Sequence, residues 1–247
     1  MLFIGGVCGI IQQTEDHGRR VQGKMEMTHA RWIRRIALSL PIILLAFPVF
    51  GAEPQDIPLP KRPASVQSDL VSALEKRKSV RVYRSEKLGI QDLSAILWAA
   101  NGVNRDYGRR TAPAAYGNDY IDVYVVSDEG AWLYDAMAHR LKTVTAAPAG
   151  LKGHLTGQRF VGRASHVLVL VADSGKIAGL FSGSEDRLRW AHATAGAIAQ
   201  NVYLMGAARG VGTCLVAGID EGAIRKGLNL SNTAIPLYVM PLGYEER

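Results

Sequence analysis

Cysteine is scarce: Cys8 and Cys214 are the only two in 247 residues. That excludes a disulfide framework and a CxxC metal or redox pair. The P-loop, HExxH, GxSxG and GxGxxG signatures are all missing, and Gly210-Val211-Gly212 lacks the further glycine a dinucleotide fingerprint needs. The six histidines (His17, His29, His139, His154, His166, His192) fall at no metal-ligand spacing. His192, on a long helical pattern, reads as a packed or capping residue. The chain also lacks a strong charge of one sign. Its net charge is +7, and residues 1–52 hold six Lys/Arg against three Asp/Glu, so the rest carries +4. That is too mild to point to nucleic acid, although it suits a phosphorylated cofactor. No apolar run reaches the ~20 residues of a spanning helix, and there is no internal repeat or low-complexity tract.

What the chain does have begins with an address. Arg31, Arg34 and Arg35 precede Ile36 to Phe50, an uncharged apolar run of 15 residues interrupted by Pro41 and Pro48, and Gly51 and Ala52 follow it. A basic region, a short apolar run and small residues make up a secretory signal peptide, with cleavage expected near residues 51–53. The plain alternative is an uncleaved membrane anchor. Residues 1–24 fit no such grammar, which points to Met25 or Met27 as the true start. The Arg34-Arg35 pair is compatible with the twin-arginine export route. The expected location is therefore outside the cytoplasm, in the periplasm, with membrane contact only through the signal segment.

Residues 53–64 read as a proline-rich, extended linker. The domain is expected over 65–247. Helical spacing runs over Ser65 to Lys76, Ile90 to Asn101 (with Gly102 as its C-terminal stop), Arg187 to Arg209 (ended by Gly210) and Ile219 to Leu228 (with Asp220 near its start). Tyr120 to Val126 reads as a strand. Asp128-Glu129-Gly130 then turns it into a second strand, Trp132 to Tyr134. Val167 to Ala172 is an apolar strand buried on both faces, and Pro236 to Leu242 is a final strand. Helices and strands intermix without a strict βα repeat, and the clear turn joins neighbouring strands. The expected class is α+β with a largely antiparallel or mixed central sheet flanked by helices, not a doubly wound fold.

Three clusters could carry chemistry. In Arg77-Lys78-Ser79-Val80-Arg81, alternate residues of an extended segment point the same way, so Arg77, Ser79 and Arg81 can converge on one anion. The plain alternative is a solvated basic helix end. Residues 104–122 hold Arg110 and the small residues Pro113, Ala114 and Ala115, which allow backbone to approach a flat ligand; otherwise this is an ordinary loop. Residues 210–220 read as a helix-to-helix connection in which Gly218 leaves peptide N–H groups open to a ligand. Cys214, in an apolar run, reads as a buried small hydrophobe rather than a nucleophile.

Together the clusters resemble the FMN-dependent nitroreductase family, and among its members the short exported ones similar to azoline-peptide dehydrogenases. The resemblance rests on ALEKRKSVRVY (73–83), LSAILWAANGVNR (93–105), RTAPAA (110–115), YIDVYVV (120–126), AGAIAQNVYLMGAARGVGT (195–213) and PLYVMPLGY (236–244), and covers about residues 58–244. It implies a nitroreductase-like fold and a homodimer with FMN at the subunit interface. It also implies an enzyme that passes hydride between flavin N5 and a small organic substrate in a ping-pong scheme. By this likeness Arg77, Lys78 and Ser79 belong to the flavin-binding segment, and Arg81 lies near the N1–C2=O edge, where a fixed cation stabilises reduced flavin. Pro113, Ala114 and Ala115 match the loop against the ring, Ala217 and Gly218 match the segment near N5, and Arg110 serves phosphate or the dimer contact. The chain departs from the family in having Ala114 where many members have Ser and Ala217 where some have Glu. It also ends at Arg247, ahead of a basic C-terminal phosphate-binding segment. No side chain is singled out as a catalytic acid or base. Two alternatives stay open: a flavin-binding or flavin-processing protein of the same fold, and a periplasmic small-ligand binding module.

Overall fold

The computed structural model describes residues 55–61, 68–144 and 147–246; the signal segment, the start at Met25 or Met27 and residues 62–67 lie outside them. A seven-stranded sheet organises the domain, in the order β1-β6-β5-β4-β7-β9-β8. The strands are β1 (Ile57–Pro58), β4 (Ile121–Ser127), β5 (Gly130–Asp135), β6 (Arg140–Thr143), β7 (His166–Asp173), β8 (Val211–Thr213) and β9 (Ala234–Tyr244). A small hairpin, β2 (Val103–Arg105) with β3 (Arg109–Arg110), stands apart. Every paired strand in the sheet is antiparallel.

The centre is β7, whose residues from His166 to Ala172 are all buried. Successive side chains point to opposite faces of the sheet. Leu168, Leu170 and Ala172 accordingly join one apolar cluster, while Val167, Val169 and Val171 join another. The first cluster lies under α2 (Ile90–Asn101) and α5 (Ser184–Arg209), through Ile96, Leu97, Ala195, Ile198 and Val202. The second lies under a short helical turn at Leu151–His154, α3 (Arg159–Arg163) and α6 (Glu221–Gly227), through Leu155, Val161 and Ile224. Burial on both faces is why β7 reads as a continuous apolar run rather than an alternating one.

Helix α5 buries Ala191, Thr194, Ala195, Ile198, Ala199, Val202 and Gly206, the 3–4 spacing of a single helix face. It ends at Gly210, which adopts a left-handed φ of 71° and donates its N–H to the Gly206 carbonyl, a conformation glycine takes without a Cβ penalty. Two shorter helices complete the set: α1 (Leu70–Lys76) and α4 (Ser174–Ala178).

The structure also revises several expectations. Gly102 follows α2 with φ −73°, so it stops the helix without a left-handed cap. Residues 210–220 are not only a connection between helices, because Val211–Thr213 form the edge strand β8 on β9. Residues 55–61 of the expected extended linker are extended and also docked: Ile57 pairs with Leu141, the Gln55 carbonyl accepts from Trp132 Nε1 at 3.0 Å, and the Pro60 carbonyl accepts from Ser94 Oγ at 2.7 Å. The residues expected as an open loop before β4 include the β2–β3 hairpin and a tight turn at Ala115–Gly117. Cys214 is buried in the second cluster, as its apolar surroundings imply.

Candidate functional site

At Arg77 the chain leaves α1 for extended backbone (φ −61°, ψ 121°) and runs beside β8. Ser79 bridges Thr213, and the Val80 N–H donates to the Thr213 carbonyl at 2.8 Å. Val80 is buried against Gly212, where a Cβ would stand 2.7 Å from the Val80 Cβ. Only a glycine there lets the two backbones approach this closely. Because Val80 points inward, alternation sends Arg77, Ser79 and Arg81 to one side and Lys78 to the other. Lys78 pairs with Glu245 at 2.6 Å and borders a cleft of about 490 Å³ shared with Lys76, Val80 and Arg84. That cleft also reaches Tyr203 and Thr213, the neighbours of Ser79, while the Lys78 ammonium is engaged by Glu245.

Behind Ser79 stands Tyr203 of α5. Its hydroxyl accepts from the Leu215 N–H at 2.7 Å and lies 3.1 Å from Ser79 Oγ. Either hydroxyl can donate across the Ser79–Tyr203 contact; where Tyr203 donates, Ser79 Oγ keeps its own proton for an outside acceptor. The Arg77 guanidinium sits 5.3 Å from the centre of the Tyr203 ring, and that of Arg81 sits 5.9 Å from the centre of the Phe160 ring. Among the described residues neither guanidinium pairs with a carboxylate. Two uncompensated cations flanking a hydroxyl donor form an anion-binding set.

The turn at 217–218 joins the same rim. Thr156 Oγ1 donates to the Gly218 carbonyl at 2.5 Å, and the Asp220 N–H donates to the Leu155 carbonyl at 2.8 Å. Ala217 and Gly218 are both exposed. Asp220 then caps α6 by accepting from the Ala223 N–H at 2.8 Å. Residues 77–81, 156–160 and 213–218 are thus held together within one chain.

The third stretch is elsewhere. The Ala115 N–H donates to the Tyr120 hydroxyl at 3.2 Å, and that hydroxyl lies 2.8 Å from Thr194 Oγ1. Thr194 precedes Tyr203 by nine residues on α5, about 13 Å along the helix axis at its ordinary rise. Pro113, Ala114 and Ala115 therefore do not meet residues 77–81 within one chain. Arg110 is also occupied: its guanidinium pairs with Asp119 and donates to the Asn101 carbonyl at 3.2 Å, closing the stretch between α2 and β4. Beside that loop, Phe181 stacks on Trp190 with ring centres 5.9 Å apart, and Tyr116 tilts against Phe181 at 5.8 Å. His192 is exposed, its Nδ1 2.9 Å from the Tyr238 hydroxyl and its ring tilted against the Tyr238 ring.

The six sequence phrases and this antiparallel sheet find their match in known proteins. The nitroreductase family model matches residues 74–244. The chain belongs to the nitroreductase family. A relative from Methanocaldococcus jannaschii that carries a nitroreductase name is 34% identical over 183 residues, covering 70% of this chain and 90% of that protein. A solved structure from Ralstonia eutropha, also named as a nitroreductase, superposes with a TM-score of 0.74 at 34% identity, covering 80% of this chain and 92% of that one. A third, from Anabaena variabilis, shares the fold at a TM-score of 0.65 and 21% identity. Membership makes the protein a nitroreductase-family oxidoreductase, with the antiparallel sheet and flanking helices of that fold.

Sequence reading passed over Tyr203, Leu215, Thr156 and Phe160. Tyr203 carries one weak signal, as the single tyrosine of α5, close to its C-terminal end. Thr156 and Phe160 carry none, because only the folded chain brings their loop to the rim.

Proposed function

We propose that this nitroreductase-family protein is an FMN-dependent oxidoreductase that works as a homodimer outside the cytoplasm, akin to the short exported members similar to azoline-peptide dehydrogenases. The observation that carries the reading is the donor set on one side of the 77–81 segment: two guanidinium groups without carboxylate partners, and between them the hydroxyl of Ser79, backed by Tyr203. That set fits a phosphate and an anionic ring edge, and the exposed backbone at Ala217 and Gly218 offers peptide donors on the same rim.

FMN, when bound, supplies the two-electron redox chemistry, and the protein positions and tunes it. On this reading Arg77 and Ser79 hold the phosphate end. Arg81 neutralises charge that develops on reduction. Ala217 and Gly218 contribute backbone rather than a side-chain acid or base. Lys78 and Arg110, engaged by Glu245 and Asp119, belong to the scaffold. A second copy supplies Pro113, Ala114 and Ala115, which one chain holds about 13 Å from Tyr203 along α5. The exposed apolar side chains of α1, Leu70, Val71 and Leu74, give such a dimer a surface to bury.

An absorption spectrum of the protein purified with FMN present tests the cofactor, and a colourless protein that retains no flavin refutes it. Anaerobic mixing of the loaded protein with NADPH tests the location. An exported enzyme is expected to take electrons from another donor or to oxidise its substrate, so fast bleaching by NADPH would count against export.

A further inference from the structure

A second cavity lies apart from the rim. It has a volume of about 370 Å³ and is walled by Leu88, Ile90, Leu93, Val125, Trp132 and Leu141, together with Ile57 of the docked segment and His166 of β7. Apolar side chains supply most of its walls. The charged groups at it, Lys87 and Glu129, are more than half exposed and paired with each other, so they mark the mouth and cancel there.

His166 is the one polar group inside. It is 6% exposed. Its Nδ1 lies 2.9 Å from Ser165 Oγ, and Ser165 Oγ accepts the Leu88 N–H at 2.8 Å. Ser165 Oγ is assigned as the hydrogen-bond donor to Nδ1, the arrangement in which the serine proton has an acceptor. A neutral imidazole accepting at Nδ1 carries its hydrogen on Nε2. Nε2 has no hydrogen-bond partner among the described residues. The ring is kept neutral by burial, reinforced by Lys87 and Lys152. The ring that carries this unpartnered nitrogen borders a chamber of ligand size.

We infer that this cavity is a binding site for an uncharged, compact apolar molecule bearing a single hydrogen-bond acceptor, with His166 Nε2–H as the donor that orients it. The apolar walls and self-neutralised mouth disfavour an ionic ligand, and the assigned tautomer, with its hydrogen on Nε2, favours an acceptor over a donor. The inference stands independently of the flavin, because none of the rim residues 77–81 or 213–218 lines this chamber.

Equilibrium dialysis with three bicyclic probes of similar size tests it: coumarin (acceptor only), naphthalene (neither) and indole (donor only). The intact protein should bind coumarin about five- to tenfold more tightly than either other probe, the value of one net hydrogen bond. His166→Phe keeps the volume and should abolish that preference while retaining apolar binding. Leu141→Trp fills the chamber and should remove binding of all three, with its melting curve confirming that it folds. Equal affinities for the three probes, a preference for indole, or coumarin binding that survives Leu141→Trp would each overturn the assignment.

Discussion

Acidification should weaken this protein measurably through one ring, that of His166. Burial, with Lys87 and Lys152 adding to it, pulls the His166 pKa from an ordinary 6.5 down to about 4, against smaller opposing effects from Glu129 and Asp128. The folded state therefore resists the proton that the unfolded chain accepts. A depressed folded pKa gives stability that is fully present above 6.5 and is lost as pH falls from there toward 4. Over that interval the difference amounts to about 3 kcal/mol, at ~1.36 kcal/mol per pH unit. For a domain with a typical total of 5–15 kcal/mol this is a substantial share. Urea unfolding at several pH values measures it, with His166→Gln as the reference because glutamine does not titrate. The stability advantage of the natural protein over the variant should shrink by about 3 kcal/mol between pH 7 and pH 4. Carboxylates elsewhere and His139 titrate in both proteins and cancel in the difference. Parallel curves would show that His166 protonates as easily folded as unfolded, and would refute the reasoning.

Three further outcomes follow from the rim. Tyr203→Phe removes the acceptor of the Leu215 N–H and the partner of Ser79. It should lower stability by about 1–3 kcal/mol and weaken FMN more than riboflavin, which lacks the phosphate; equal affinities measured by fluorescence quenching would count against a phosphate role for Ser79. Gly212→Ala places a methyl 2.7 Å from the Val80 Cβ and should cost about 1–3 kcal/mol as the 77–81 strand is pushed away, read as a lowered melting temperature together with lost flavin. Leu74→Asp puts a charge on the exposed apolar face of α1 and should shift a dimer toward monomer in light scattering, with flavin lost in parallel. A variant that stays dimeric would move the proposed interface elsewhere.

The elements most legible in the chain were those whose burial pattern is local. Ile90–Asn101 shows its helical period directly, and α5 ends where Gly210 says it should. The all-apolar stretch of β7 is a strand covered on both faces because each of its residues must be buried whichever way it points. Asp220 caps α6 through its own neighbours. Each of these features is decided within a few residues, so the sequence contains it.

The features that were not legible depend on partners distant along the chain. Strands of two to four residues, β1, β6 and β8, have too little periodicity to announce themselves and exist because a longer strand offers its edge. The proline-rich stretch shows by composition that it is extended, but only the Leu141 pairing, the Trp132 indole and the Ser94 hydroxyl dock it. The 77–81 motif states which residue types could hold an anion. Which of them face it was decided by Gly212, which admits Val80 and so turns Lys78 toward Glu245 and leaves Arg77, Ser79 and Arg81 on the other side. The amino-acid order fixed the family and the donor chemistry, because these lie in residue identity and short spacing. Tertiary structure alone decided that Tyr203 backs Ser79 and that Tyr120, which holds the 113–115 loop, reaches Thr194 on α5, because hydrogen bonds between residues 124 and 74 positions apart form only once the core has closed.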